Sequence, residues 1–331
     1  MNSDEFRGDV RILFGDPGQG TRVLYRQALM AAGYHDLREF DSVKGFADLI
    51  TVARPDLVFM DLAMPEGDAV ALVSDLRHGR LGVNPYLPII LTSWESDMQL
   101  VRRVVDAGAD DLLVKPLSTR IILDRIETVA LHRKPFVVTS DYIGPDRRKA
   151  VARRDSNVPL IEVPNPLREK MLGRPIDAAA LQQAIMAAND SITRQRLHAS
   201  AFRIAFVAAQ VVPRYKDGER PDTATLTLLA DLIVSAEDIR LRVADSEFSH
   251  VVQVCDRLLA QARPLAELDV DFTLSASWVK SLDLVKSLAD ALLALFNPER
   301  DASALAGEVA NAVDRFRNRR AAQQTGELPA V

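Results

Sequence analysis

The stretch PDLVFMDLAMP, residues 55–65, predicts a buried strand over Asp56–Met60 that is followed directly by a carboxylate, Asp61. A short apolar run bounded by turn residues is typical of a strand with both faces covered. Similar runs occur elsewhere in the first half, at Val10–Phe14, Leu37–Phe40, Leu87–Leu91 and Asp111–Val114. Segments with helical periodicity lie between these runs, near residues 20–32, 43–53, 67–78, 97–107 and 118–132.

This alternation of strands and helices predicts an α/β fold with a doubly wound, five-stranded parallel sheet. Parallel strands need long crossover connections, and the helices in those crossovers cover both faces of the sheet. Right-handed crossovers restrict the order of the strands to a few topologies. Ligands of such sheets bind outside the carboxyl ends of the strands, so polar residues at those ends are the candidates for function.

Four chemically useful side chains stand at the predicted strand ends: Asp16, Asp61, Thr92 and Lys115. Two carboxylates can hold Mg²⁺, which prefers oxygen ligands and keeps several waters. An aspartate can also act as a nucleophile and carry an acyl phosphate. Lysine and threonine can neutralise and hydrogen-bond phosphoryl oxygens. The pattern predicts a phosphoryl-acceptor site that works as a switch rather than as a turnover enzyme.

The first half contains, in this order, the pieces VRILFGDP, PDLVFMDLAMP, PIILTSW and GADDLLVKP. This set resembles the receiver-domain family of two-component response regulators. The resemblance implies phosphorylation of Asp61 by a sensor histidine kinase or a phosphotransfer protein. It also implies a Mg²⁺ cofactor held by Asp16, Asp61 and the backbone carbonyl of Ala63. Thr92 and Lys115 would contact the phosphoryl group.

The sequence departs from the family pattern at informative positions. The two adjacent acids after the first strand are matched by Gly15 and Asp16, so one metal-site carboxylate is missing. The aromatic switch residue of the last strand is matched by Leu112, which cannot report phosphorylation by ring rotation. The positions that tune phosphoryl lifetime match Ala63 and Trp94, neither of which can activate water, so we expect slow self-dephosphorylation. These departures keep open a pseudo-receiver that retains the fold without phosphorylation.

The rest of the sequence divides by charge and proline content. Residues 135–175 hold 8 Lys and Arg against 5 Asp and Glu, whereas the segments on both sides are net acidic. Proline lacks an N–H and fixes φ, so this proline-rich segment is predicted to be a largely extended linker. The predicted organisation is a receiver domain at 1–134 with the resemblance at about 9–133, the basic linker at 135–175, a helical domain at 176–321 and a flexible tail at 322–331.

The linker contains a compact basic element, Tyr142–Lys149, followed by Arg153 and Arg154. Paired arginines can clamp a phosphate-bearing ligand such as a nucleotide. The same residues can instead belong to a solvated linker, or dock onto an acidic face of the receiver or of the helical half. The sequence leaves these interpretations open.

The second half lacks a convincing strand pattern and shows helical stripes instead. Predicted helices cover Leu181–Ala209 and Thr223–Ala244, and three further apolar stripes begin at Phe248, Trp278 and Leu305. Five helices of this length predict an all-α bundle.

Three kinds of output are weighed for this helical half. Amphipathic helices without catalytic motifs favour a protein-interaction or dimerisation domain, with a downstream protein or a second copy as partner. A DNA-binding output is the first alternative, but residues 176–331 are net acidic, which makes nucleic acid an unfavourable partner. The second alternative is an enzymatic output, either phosphotransfer through His250 or phosphatase activity through Glu308 and Asn311.

Composition excludes several other classes of protein. The single cysteine, Cys255, excludes a disulfide framework or a cysteine-based zinc cluster. No apolar run approaches the ~20 residues of a membrane-spanning helix. The start, Met1–Asp9, is polar and has no signal-peptide core, so we expect a cytoplasmic protein. The net charge of −5 disfavours general affinity for nucleic acid.

Overall fold

The computed structural model describes residues 3–82, 84–148, 158–174, 177–217, 222–244, 246–267 and 276–325. The chain divides into two compact units, Met1–Ile192 and Thr193–Val331. The organisation into four segments stays a prediction. Parts of its linker and tail, residues 149–157, 175 and 326–331, and parts of its helical domain, residues 176, 218–221, 245 and 268–275, lie outside the described residues.

The first unit is built on a five-stranded parallel sheet with the strand order β2-β1-β3-β4-β5. The strands are β1 Arg11–Gly15, β2 Asp36–Phe40, β3 Leu57–Asp61, β4 Ile89–Ser93 and β5 Asp111–Val114. This order confirms the predicted doubly wound α/β fold. The observed bounds differ from the predicted ones by no more than two residues, because the backbone ladder continues past the apolar runs.

Helices cover both faces of this sheet. They are α1 Gln19–Ala31, α2 Val43–Ala53, α3 Ala69–Arg77, α4 Met98–Asp106 and α5 Thr119–Leu131. Helices α1 and α5 share one apolar cluster with the strands, and α2, α3 and α4 share the other. The helices α2 to α5 begin where a side-chain oxygen accepts from a first-turn N–H group, at Ser42, Asp68, Asp97 and Ser118.

The proline-rich segment after α5 forms short elements that belong to the first unit. They are the antiparallel strands β6 Phe136–Val138 and β7 Ile143–Pro145, and the helix α6 Pro166–Met171. Ile161 forms an isolated antiparallel bridge with Phe136. Leu167 and Met171 of α6 are buried in the apolar cluster of α1 and α5. The strands β6 and β7 and the buried residues of α6 are therefore packed against the first unit.

A buried ionic cluster around Asp110 holds the β6–β7 hairpin against the amino ends of β4 and β5. The Asp110 carboxylate accepts from Arg77 at 2.9 Å, from Arg133 at 2.7 Å and from the backbone N–H of Ile89 at 2.9 Å. The ring of Phe136 lies beside both guanidinium groups, with its centroid 5.4 and 4.9 Å away from them. Burial lowers the pKa of Arg77 to about 10, and the charge of Asp110 opposes that shift. The cluster therefore couples the hairpin to the sheet.

The basic element Tyr142–Lys149 is placed against the same region. Arg147 donates to the backbone carbonyl of Ala109 at 2.8 Å. The backbones of Gly144 and Gly108 approach each other closely. A Cβ built on Gly144 would come within 2.7 Å of the Cα of Gly108. These contacts favour docking onto the first unit for the described part of the element. The remaining basic residues, Lys149, Arg153 and Arg154, lie outside the described residues.

The rest of the described chain is helical, which confirms the prediction for the second half. The helices are α7 Ala178–Lys216, α8 Thr223–Val243, α9 Val252–Ala266, α10 Ala276–Leu295 and α11 Ala302–Thr325. From residue 177 on, the described residues contain no strand. The core of the second unit comes from α7 to α10 and includes Cys255, with Trp278 packed at its margin. None of the helices in the described part has the length and apolar character to cross a bilayer.

The Asp110 cluster predicts a large effect of one neutralising substitution. Asp110→Asn keeps the shape but leaves two buried guanidinium groups without a counter-charge, which costs about 3 kcal/mol. We expect the urea midpoint of the first unit to fall accordingly. In a Trp278→Phe background Trp94 is the only tryptophan, so its fluorescence follows this unit alone.

Asp124→Asn is the matched control, because Asp124 pairs with Arg120 on the surface of α5, where both side chains are exposed. Such a pair contributes ~0.5 kcal/mol or less. Equal midpoints for the Asp110 and Asp124 variants would contradict a structural role for the buried cluster.

Candidate functional site

The structure brings the four predicted side chains together at the carboxyl ends of the central strands. Asp16 follows β1, Asp61 pairs in register with Thr92 of β4, and Lys115 follows β5. All four side chains are buried. The fifth predicted residue, Ala63, lies two positions beyond the end of β3. Their roles in phosphoryl chemistry stay predictions.

The ammonium group of Lys115 lies between the two carboxylates. Its Nζ is 2.5 Å from Oδ2 of Asp16 and also contacts Oδ2 of Asp61. The hydroxyl of Thr92 donates to the same Asp61 oxygen at 3.1 Å. Burial disfavours the charge on Lys115, but hydrogen bonds to both aspartates outweigh burial and raise its pKa. Lys115 is therefore a cation at neutral pH and offsets part of the charge of the pair.

Backbone N–H groups hold the other carboxylate oxygens. Oδ1 of Asp61 accepts from the N–H of Ala63 at 2.7 Å, and Oδ1 of Asp16 accepts from the N–H of Gly18 at 2.8 Å. Both bonds span two residues, as in the turns that aspartate side chains form with their own backbone. The loops after β1 and β3 thus fix the orientation of both carboxylates. The Lys115–Pro116 peptide bond beside them is cis.

Three oxygen donors in this arrangement suit Mg²⁺: the carboxylates of Asp16 and Asp61 and the backbone carbonyl of Ala63. Magnesium usually keeps several waters, so a site with two carboxylates is sufficient for it. Within the described residues, no group of three or more His, Cys, Asp or Glu side chains could hold a metal ion. The donor set therefore fits a hydrated Mg²⁺ and does not fit an ion that needs a full cage of protein side chains.

Trp94 stands at the solvent side of this site. Its ring centroid is 5.6 Å from Nζ of Lys115, within the range of a cation–π contact, and the residue is 68% exposed. The indole carries no group that could take a proton from water at the phosphoacceptor. An aromatic cover of this kind agrees with the expectation of slow self-dephosphorylation, which stays a prediction.

Gly15 and Leu112, the two departures from the family pattern, both face packed interiors. A Cβ built on Gly15 would come within 2.1 Å of the Phe40 ring, so position 15 points at β2 and not at the carboxylates. Leu112 packs against the apolar cluster of α2, α3 and α4. An acid at position 15 would therefore not complete the metal site. The exposed neighbour on the other side of Asp16 is Pro17.

Tyr25 is a site residue that the sequence analysis missed. It lies on the inner face of α1 and is 6% exposed. Its ring meets Phe59 of β3 edge-on, with centroids 5.6 Å apart, and its hydroxyl lies within the electrostatic reach of Lys115 and both aspartates. The available signal was a tyrosine in the buried stripe of α1, four residues before Leu29.

The candidates in the second unit stand in less specific surroundings. His250 is exposed and lies in a short 3₁₀ turn before α9. Glu308 of α11 pairs with Arg300 at 2.9 Å, and Asn311 is exposed one turn further along the helix. Phosphotransfer and phosphatase roles for these residues stay predictions.

Comparison with known proteins finds similarity over the first part of the chain. The family model of the response regulator receiver domain matches residues 13–127. Response regulator MprA of Mycobacterium tuberculosis is 35% identical over 127 residues, which are 38% of this chain and 53% of that protein. Protein CcdB of Bacillus subtilis is 30% identical over 123 residues, which are 37% of this chain and 99% of that protein.

Among solved structures, chemotaxis protein CheY4 of Vibrio cholerae is similar at 22% identity and a TM-score of 0.33, over 36% of this chain and 98% of that one. The chain thus spans nearly all of CcdB but only about half the length of MprA. No family model matches the region after the receiver domain. The chain belongs to the response regulator receiver family, with the receiver domain of a two-component response regulator at residues 13–127.

The packing of Gly15 predicts where a second metal-site acid can be added. Gly15→Asp should lower the stability of the receiver by about 2 kcal/mol or more, because a side chain must displace Phe40. Its Mg²⁺ affinity should not rise. Pro17→Asp, at the exposed neighbouring position, should leave stability unchanged and tighten Mg²⁺ binding severalfold. Mg²⁺ titrations followed by Trp94 fluorescence and urea unfolding measure both effects. Tighter Mg²⁺ binding in a stable Gly15→Asp variant would overturn this assignment.

Proposed function

We propose that this chain is a phosphorylation-controlled switch whose phosphoacceptor is Asp61. The observation that carries the proposal is the convergence of Lys115 and Thr92 on Oδ2 of a buried aspartate. A sensor histidine kinase or a phosphotransfer protein would supply the phosphoryl group from a phosphohistidine. A carboxylate oxygen of Asp61 attacks phosphorus, the new O–P bond forms as the N–P bond breaks, and the released imidazole takes a proton from solvent.

The surrounding groups support both the transfer and the product. Before transfer, Lys115 holds two carboxylates in one small volume and lowers the repulsion that an incoming phosphoryl group meets. After transfer, its ammonium and the Thr92 hydroxyl are placed to bind phosphoryl oxygens. Both groups start within bonding distance of Asp61, so a small displacement is enough to follow the new charge.

Magnesium would be held by Asp16, Asp61 and the backbone carbonyl of Ala63. Bound there, the ion would offset the repulsion between the Asp61 carboxylate and the phosphoryl oxygens. Lys115 already contacts both carboxylates. Metal binding would therefore have to share those oxygens with the ammonium group.

For the helical half, we propose an output through protein contacts rather than catalysis. Val234 and Leu241 lie seven residues apart on one face of α8 and are 64% and 70% exposed, so the helix presents two apolar side chains to its surroundings. A downstream protein or a second copy of this chain would bury them. The net negative charge of residues 176–331 disfavours nucleic acid. The proposal includes a cytoplasmic location, where the kinase would act.

Phosphorylation by a small-molecule donor tests this function. Full-length protein is treated with acetyl phosphate and Mg²⁺, and the intact mass and native size are measured. We expect one phosphoryl adduct on the wild type and none on Asp61→Asn. Asp75→Asn, an exposed acid on α3, is the matched control and should behave as the wild type.

The native size separates the proposed outputs. A change in size that depends on the adduct supports dimerisation, whereas an adduct without a size change directs the search to other protein partners. Absence of an adduct on folded wild type at saturating Mg²⁺ would contradict the phosphoacceptor role and favour a pseudo-receiver.

A further inference from the structure

The loop between β1 and α1, which carries Asp16, is held by a side chain of α1. Arg22, in the first turn of that helix, donates from Nη1 to the backbone carbonyl of Asp16 at 2.7 Å and to that of Pro17 at 3.2 Å. The backbone N–H of Arg22 donates to the carbonyl of Gly18 at 3.1 Å. Arg22 thus contacts the carbonyl groups of three successive loop residues.

One of these contacts fixes the carboxylate of Asp16 through a rigid peptide group. The carbonyl of Pro17 and the N–H of Gly18 belong to the same trans peptide group, which is planar and points them in opposite directions. The N–H of Gly18 donates to Oδ1 of Asp16 at 2.8 Å. Because Arg22 holds the carbonyl, it also fixes the direction of the N–H that orients the carboxylate. Rotation of this peptide group would break both hydrogen bonds.

The orientation of Asp16 matters because the loop offers no second acid. Position 15 faces the ring of Phe40, so Asp16 is the carboxylate that the end of β1 can give to a metal ion. Its Oδ2 already contacts Nζ of Lys115 at 2.5 Å. A carboxylate that turned freely could satisfy the ammonium group with either oxygen and would present no fixed direction to a cation.

We propose that Arg22 is a positioning residue for the Mg²⁺ site, which holds the Asp16 carboxylate in the orientation that binds the ion. This inference rests on the proposed function, because Mg²⁺ at this site is part of that proposal. Arg22 acts through the backbone of the loop and not by contact with the ion. Its effect on affinity is therefore opposite in sign to the effect of its charge, since a guanidinium group near the site repels a cation.

Mg²⁺ titration of the full chain tests the inference. Trp94, whose ring centroid is 5.6 Å from Nζ of Lys115, reports binding by its fluorescence in a Trp278→Phe background. We expect Arg22→Met to raise the Mg²⁺ dissociation constant about tenfold, the lower end of what is lost when a group that orients a metal ligand is removed. Loss of charge alone would lower that constant. A dissociation constant that stays the same or falls would overturn the inference.

Arg26→Met is the matched control. Arg26 lies one turn further along α1 and shares the carboxylate of Glu39 with Arg22, at 3.7 and 3.9 Å respectively. Its guanidinium group lies over the ring of Phe14, 5.5 Å from the centroid, rather than on the loop. The Mg²⁺ dissociation constant of this variant should stay within about twofold of the wild type, because the exposed ion pair contributes little. An equal loss of affinity in both variants would overturn the specific role of Arg22.

Arg22→Lys separates donation to the loop from the shape of the guanidinium group. Its ammonium group can donate to both carbonyls, so we expect a Mg²⁺ dissociation constant within about threefold of the wild type. Binding as weak as in Arg22→Met would contradict a role through these hydrogen bonds. Urea unfolding shows whether each variant is folded, and Arg22→Gln, whose amide is too short to reach the loop, replaces Arg22→Met should that variant not fold.

The rate of adduct formation with acetyl phosphate separates this inference from the proposed function. Arg22→Met should match the wild type at saturating Mg²⁺ and be about tenfold slower when Mg²⁺ lies well below the wild-type dissociation constant. A slower rate only at saturation would overturn the inference. A wild type that binds Mg²⁺ without forming an adduct would overturn the phosphoacceptor function and leave the role of Arg22 at the metal site. A folded wild type that binds no Mg²⁺ would overturn the inference together with the site.

Discussion

Two buried carboxylates that share one ammonium group are the constraint on which this receiver depends. Asp16 and Asp61 stand at the ends of adjacent parallel strands, and without Lys115 their charges would face each other in a site nearly closed to water. Buried charges are tolerated when they are paired and hydrogen-bonded. Here the pairing leaves an excess of negative charge, which a divalent cation can balance. The same excess of negative charge would favour the proposed binding of Mg²⁺.

At the opposite end of the sheet, the charges are arranged in the reverse way, with one buried anion shared by two cations. One carboxylate, Asp110, is shared by the guanidinium groups of Arg77 and Arg133, and Phe136 of the hairpin fills the space beside them. Removal of Asp110 would leave two buried guanidinium groups without a counter-charge. The proline-rich segment is therefore attached to the receiver by interactions as specific as those of a core element.

The sequence predicts those parts of the structure that depend on a local pattern of residues. Strand–helix alternation fixed the fold, and strand ends identified Asp61 and Lys115, because parallel strands present their carboxyl ends at one edge. The β6–β7 hairpin lies in the segment predicted to be an extended linker, because strands of three residues are too short to show a periodic pattern. Its position depends instead on the contacts of Phe136 with Arg77 and Arg133. Tyr25 is absent from the predicted residues for a related reason, since only the packing of α1 onto β3 brings its ring beside Phe59 near the site.

The two charged clusters also decide which elements can move. Strand β5 joins Asp110 at its amino end to Lys115 at its carboxyl end and has only four residues, ~13 Å of extended chain. With both ends held by buried ion pairs, β5 cannot slide along its neighbour without breaking one of them. A change at Asp61 is then accommodated by side-chain rotation and by the helices that contact the site, which are less constrained than the strand.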